Sequence, residues 1–167
     1  INNQKGVNAV FFVNPRSHNY NALSPLDLQY IRSIIDEGQE IGLHYDIAMN
    51  ALQNIDVEAD ISLQKKILEE YLEIDIRVFS FHNPGQYYKK FYTQEYLAGM
   101  INVYSEYFYQ NFTYIADSSG KWNTDPMNII LNENSTKLQI LTHPVWWQQE
   151  KLQNVQERVG NYWQRRK

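Results

Sequence analysis

The sequence predicts an α/β protein assembled from parallel βαβ units. Apolar runs rich in β-branched and aromatic residues recur along the chain, and segments with helical spacing lie between them. Gly, Pro and Asn mark most of the changes from one to the other. Strands that alternate with helices pair in parallel, because a helix-length connection is what returns the chain to the same end of a sheet.

The elements follow in order. Residues 7–13 (VNAVFFV) suit a buried strand, broken by Asn14 and Pro15. Ser24 and Pro25 open a helix as N-cap and first helical residue, with Leu28, Ile31, Ile34 and Ile35 as its apolar stripe and Gly38 at its end. Residues 39–44 (QEIGLH) form the next strand. Helical spacing returns over residues 60–72, with Leu63, Ile67, Leu68 and Tyr71 on one side. Residues 76–81 (IRVFSF) are a third strand, stopped by Asn83, Pro84 and Gly85. Residues 101–104, 114–117 and 138–142 complete the strands. Residues 148–163 form a last helix that presents Leu152, Val155, Val159 and Tyr162. No repeat, low-complexity tract or linker interrupts the series, so residues 1–167 are expected to form a single domain.

Composition narrows the function. A chain of 167 residues that is 43% hydrophobic and 20% charged can bury a core. A net charge of −4 gives no electrostatic reason to expect nucleic acid, and the basic end at Arg165, Arg166 and Lys167 is a solvated tail. Cysteine is absent, which rules out disulfides, thiolate metal ligands and a cysteine nucleophile. No stretch approaches the roughly 20 apolar residues of a membrane helix, and no signal peptide is visible. A bacterial cytoplasmic protein is the expectation, with secretion left open because the chain starts at Ile1. Asn111 and Asn134 stand in glycosylation sequons, which carry no meaning in that setting. The 13 tyrosines suit either sugar stacking or a core.

In α/β folds the site forms where loops follow the carboxyl ends of the strands. The four histidines all fall there: His18 after the first strand, and His44, His82 and His143 at the ends of three others. A single histidine in a loop is usually a packing or turn residue, but this shared placement points to chemistry.

The strand ends also carry motifs. Residues 38–44 (GQEIGLH) look like the GHEIGxH segment of the polysaccharide deacetylases, enzymes of chitin and peptidoglycan related to nodulation protein B. Residues 9–13 (AVFFV) resemble that family's ATFFV strand, and residues 81–85 (FHNPG) its RxPxG loop with histidine in place of arginine. Residues 117–122 (DSSGKW) are similar to its D…W motif, and residues 141–144 (LTHP) to its late LxxH motif. The order and spacing agree over nearly the whole chain. The resemblance implies a distorted (β/α) barrel that removes the acetyl group from an N-acetylated sugar or polysaccharide with a divalent metal, zinc first. It implies His44 as metal ligand, His143 as general acid, Asp117 as the residue that orients His143, and Trp122 as a wall of the acetyl pocket. Pro84 and Tyr87 become candidates for substrate binding.

The departures matter too. The family's opening TFDD strand, which supplies a base and a metal ligand, has no counterpart ahead of Val7, so the barrel is expected to lack its first strand in this chain. Where the family has a second metal histidine, this chain has Ala48. His82 is the candidate replacement ligand. Asp46 shares a strand face with His44 and is a candidate ligand, a substitute base, or simply a capping carboxylate. The expected function is therefore a metal-dependent deacetylase-like hydrolase of carbohydrate. The alternatives are a catalytically impaired domain of the same type that binds glycan or a partner, and a β/α hydrolase of another family.

Overall fold

The computed structural model describes residues 6–18, 20–48, 55–132, 137–146 and 154–164. The sequon at Asn134, the basic end at Arg165, and Leu152 lie outside them. The chain divides into two compact units, Ile1–Tyr107 and Phe108–Lys167. Among the described residues no helix is long and apolar enough to cross a membrane.

The first unit is a five-stranded sheet in the order β1-β2-β3-β5-β4, formed by β1 (Val10–Val13), β2 (Glu40–Asp46), β3 (Val78–His82), β4 (Tyr96–Leu97) and β5 (Met100–Asn102). β1, β2, β3 and β5 run parallel; β4 pairs antiparallel with β5. The predicted parallel α/β arrangement is thus present, as an open sheet among the described residues. β1 is shorter than expected. Ahead of Val10 the backbone of Ala9 is held by the Gln39 side chain (N to Oε1, 2.9 Å), and Val7 is exposed.

Alternation along β2 and β3 separates two faces. Leu43, Tyr45, Phe79 and Phe81 point to one side and are at most 1% exposed. Each contributes about 1.5–3 kcal/mol by leaving water. They meet Ile31, with Leu28, Ile34 and Ile35 packed alongside, from α1 (Pro25–Asp36), and Ile61, Leu68 and Leu72 from α2 (Val57–Leu72). The other face, which carries Gly42, His44 and Asp46, is taken up below.

α1 begins as predicted, with Ser24 Oγ accepting from the Asp27 backbone N–H at 3.2 Å and Pro25 at the first helical position. In α2 the predicted stripe is corrected. Leu63 and Tyr71 are 56% and 47% exposed, and the buried residues are Asp60, Ile61, Gln64, Leu68 and Leu72. Two polar residues therefore belong to the inward face. Asp60 is tolerated there because Arg16 donates to both of its oxygens (3.1 and 3.3 Å) and Gln64 Nε2 to one (2.9 Å). The helix also starts earlier than expected, at an Asp56 cap that accepts from Glu58 N and Ala59 N.

The antiparallel pair β4–β5 turns through Ala98 and Gly99, with φ of 49° and 73°. Two consecutive positive φ values are the signature of a type I′ hairpin, which matches the twist of the strands and favours Asn-Gly. Alanine at the first position is strained by its Cβ. Ala98→Asn is expected to raise stability by about 0.5–1 kcal/mol, read as a higher urea midpoint; an unchanged or lower midpoint would refute the strain. Next to this turn Asn102, fully buried, donates to the carbonyls of Phe91 and Gln94 and accepts from Tyr104 N, each at 3.0 Å. A side-chain amide with every group satisfied is compatible with burial.

Between the units runs the short helix α3 (Glu106–Asn111). The second unit holds a parallel pair, β6 (Thr113–Ala116) with β7 (Leu138–Leu141), together with α4 (Pro126–Asn132) and α5 (Val155–Gln164). α5 covers the later part of the predicted C-terminal helix, and residues 148–153 lie outside the described residues.

Candidate active site

Four polar side chains line one face of the sheet at the carboxyl ends of β2 and β3. His44 pairs across the ladder with Ser80, and Asp46 with His82, so the two cross-strand pairs stack two residues apart on the same face. The ladder brings His44 Nδ1 to 2.7 Å from Ser80 Oγ. A diagonal contact brings His82 Nδ1 to 3.0 Å from His44 Nε2, with the rings edge-on and their centres 4.9 Å apart. On its outer edge, His82 Nε2 lies 4.0 Å from Asp46 Oδ2. The predicted candidates His44, His82 and Asp46 thus come together, and Asp46 shares the His44 face because β2 continues to it.

Whether these residues suit a metal can be judged from their donors. Two nitrogens bound to one tetrahedral ion lie about 3.3 Å apart when each metal–nitrogen bond is about 2.0–2.1 Å. His44 Nε2 and His82 Nδ1, at 3.0 Å, are near that spacing. Each ring also turns its second nitrogen toward an oxygen, Ser80 Oγ for His44 and Asp46 Oδ2 for His82, as metal-binding imidazoles do. The pair therefore fits two positions around an ion, with Asp46 behind His82 rather than beside the convergent nitrogens. Among the described residues no group of three or more histidine, cysteine, aspartate or glutamate side chains is placed to hold one ion.

Gly42 explains part of the local sequence. It stands two residues before His44 on the same face, paired with Phe12 of β1. A Cβ there would meet Phe12 Cδ1 and Cε1 at 2.7 Å, so the ring lies over bare backbone. That ring borders His44, with centres 6.4 Å apart. Gly42→Ala is expected to cost about 1–3 kcal/mol through displaced Phe12, measured by urea unfolding. Wild-type stability in this variant would show that the ring relocates freely.

A separate arrangement occurs in the second unit. Asp117 and His143 stand just beyond the ends of the adjacent strands β6 and β7, and Asp117 N donates to Leu141 O at 3.2 Å, which extends the ladder. Asp117 is 5% exposed. Its Oδ1 lies 2.6 Å from His143 Nδ1, and its Oδ2 accepts from the His143 backbone N–H at 3.0 Å. The carboxylate thereby fixes the ring's direction and selects the tautomer with a proton on Nδ1. Nε2 is left at the opposite edge of a side chain that is 40% exposed. Tyr114, near Asp117, has its phenol pushed above the ordinary value by burial first and then by the Asp117 charge, so it stays protonated at neutral pH.

Trp122 is partly exposed in the loop after β6. Asn123 clasps that loop's two ends, since its N donates to Ala116 O and its Oδ1 accepts from Ala116 N, both at 2.9 Å. Pro84 lies in the turn after His82, where Asn83 and Gly85 have φ of 47° and 49°, and Tyr87 opens the 3₁₀ turn that follows. Pro84 and Tyr87 belong to the first unit and Trp122 to the second. His18 is exposed in the loop after β1. Ser80 and Asn123 are the site residues that sequence reasoning missed. Ser80 sits inside an apolar strand and Asn123 inside a polar loop, and only the alternation that puts Ser80 on the His82 face pointed to either.

Compared with known proteins, the chain matches no family model and no curated protein.

Proposed function

We propose that this chain is a metal-dependent, deacetylase-like hydrolase of N-acetylated carbohydrate, with His143 as general acid. The observation that carries the proposal is the two-point grip of buried Asp117 on His143, at 2.6 Å to Nδ1 and 3.0 Å to the backbone N–H. A carboxylate so placed favours an imidazolium that offers its Nε2 proton, and imidazole exchanges protons near neutral pH.

In amide hydrolysis water adds to the carbonyl carbon, the C–N bond breaks, and the nitrogen leaves with the bonding electron pair. That nitrogen must be protonated to depart as an amine, and His143 Nε2 supplies the proton. Asp46, the carboxylate beside His82, is assigned to receive the proton lost by water. His44 and His82 would hold the metal, with zinc suited to nitrogen donors. When bound, such an ion polarises a carbonyl and lowers the pKa of water. The exposed Tyr87 and Trp122 are assigned to the sugar ring, where an aromatic face stacks on apolar C–H surface.

The test is acetate release from N-acetylglucosamine oligomers by purified protein, with and without added zinc and after chelation. Zinc-dependent release supports the proposal. No release under any of these conditions, together with no bound zinc, nickel or cobalt, overturns it. Ala48, in place of a metal histidine, favours a second reading as an impaired domain that binds glycan. Oligomer binding without acetate release would select it.

A further inference from the structure

We infer that Ser80 is a positioning residue that sets the tautomer of His44 and so turns the His44–His82 contact into a cation site selective for metals that prefer nitrogen. The inference rests on the metal-holding role proposed above for these two histidines.

The argument starts from proton counting. His44 has one nitrogen against Ser80 Oγ at 2.7 Å and the other against His82 Nδ1 at 3.0 Å. A neutral imidazole carries a single N–H, so only one of its two contacts is a donation from the ring. Ser80 is 5% exposed and paired directly with His44 across the β2–β3 ladder, so its hydroxyl is held at the ring by backbone register. A hydroxyl oxygen in that place accepts the Nδ1 proton. His44 Nε2 is then a lone pair that faces His82. In the metal-free protein His82 Nδ1–H donates to it. When His82 carries its proton on Nε2 instead, on the side where Asp46 Oδ2 lies at 4.0 Å, two lone pairs converge from 3.0 Å apart. Two neutral imidazoles with no convergent carboxylate make a poor site for calcium or magnesium, which take oxygen donors, and a good one for zinc, cobalt, nickel or copper.

The sheet explains why serine suits this position. The neighbours of Ser80 along β3, Phe79 and Phe81, face the buried core, while Ser80 and His82 face the other way. A larger side chain would push the His44 ring away from His82. Alanine would leave the ring in place with its Nδ1 lacking an acceptor, and His44 would shift its proton to Nε2, closing the pair to metal.

The experiment compares wild type, Ser80→Ala and Ser80→Thr. Imidazole nitrogen NMR of the metal-free proteins reads the tautomer, and cobalt or zinc titration followed by calorimetry reads affinity. We expect His44 as the Nδ1–H form in wild type and the Nε2–H form in Ser80→Ala. Zinc affinity should fall about 10–100-fold in Ser80→Ala and recover in Ser80→Thr, while magnesium and calcium bind none of the three. Far-UV circular dichroism and urea midpoints establish that each variant is folded, and the tautomer assignment stands on wild type alone should a variant fail. Wild type that binds zinc with His44 in the Nε2–H form, or Ser80→Ala that binds zinc as tightly as wild type, overturns the role of Ser80 and leaves the metal site standing. Wild type that binds no transition metal overturns the metal site itself, and with it the selectivity inferred here.

Discussion

His143→Ala is expected to lower acetate release from N-acetylglucosamine oligomers by about 10²–10⁴-fold while bound zinc stays at the wild-type level. The size of the loss follows from what the ring does. An unprotonated amine anion is a very poor leaving group, so the step that breaks the C–N bond depends on a positioned proton donor. The separation of the two readouts follows from position: His143 is held by Asp117 in the second unit, whereas the proposed metal donors His44 and His82 belong to the first. Asp117→Asn is a graded companion. It preserves shape and an oxygen for the backbone N–H of His143 but removes the charge that stabilises imidazolium, so a smaller loss of release is expected. Acetate release within a few-fold of wild type in His143→Ala would end the assignment of this residue as the acid, whatever the metal content.

Removing either convergent imidazole is expected to abolish transition-metal binding. With zinc at about 100 times its dissociation constant, a site that exists only in the folded protein adds about 2.7 kcal/mol of stability. For a chain of this size that corresponds to a rise of about 5–10 °C in the unfolding midpoint. Both His44→Ala and His82→Ala should lose this rise, because a single imidazole is a weak ligand and the two nitrogens meet only in the folded sheet. The measurement is a thermal scan with and without zinc, paired with elemental analysis of the purified proteins. A zinc-dependent rise that survives in either variant would place the metal elsewhere. Loss in His44→Ala but not in His82→Ala would leave His44 as a ligand and remove His82 from the set.

Much of this was legible in the residues. The alternation along residues 39–44 and 76–81 identified β2 and β3 and the face on which His44 falls, and Ser24 with Pro25 marked the start of α1. The polar residues inside apolar patterns were not legible. Asp60 and Gln64 occupy the inward face of α2 because Arg16, distant in sequence, balances Asp60. A helical wheel that ranks residues by hydropathy turned that face toward Leu63 and Tyr71 instead. Ser80 was hidden in the same way, since one hydroxyl in an apolar strand has no meaning until its cross-strand partner is known.

By itself, then, the sequence determined the parallel α/β class, the strand ends that carry His44, His82 and His143, and the shared face of His44 and Asp46. These depend on local periodicity, which backbone geometry imposes on every strand and helix. Only the tertiary structure decided that His44 meets Ser80 and His82, and that Asp117 grips His143 at two points. Those contacts depend on the register of β2 against β3 and of β6 against β7. A shift of one residue would turn every side chain of a strand to the opposite face, so register is decided by which residues the whole core can bury rather than by either strand alone.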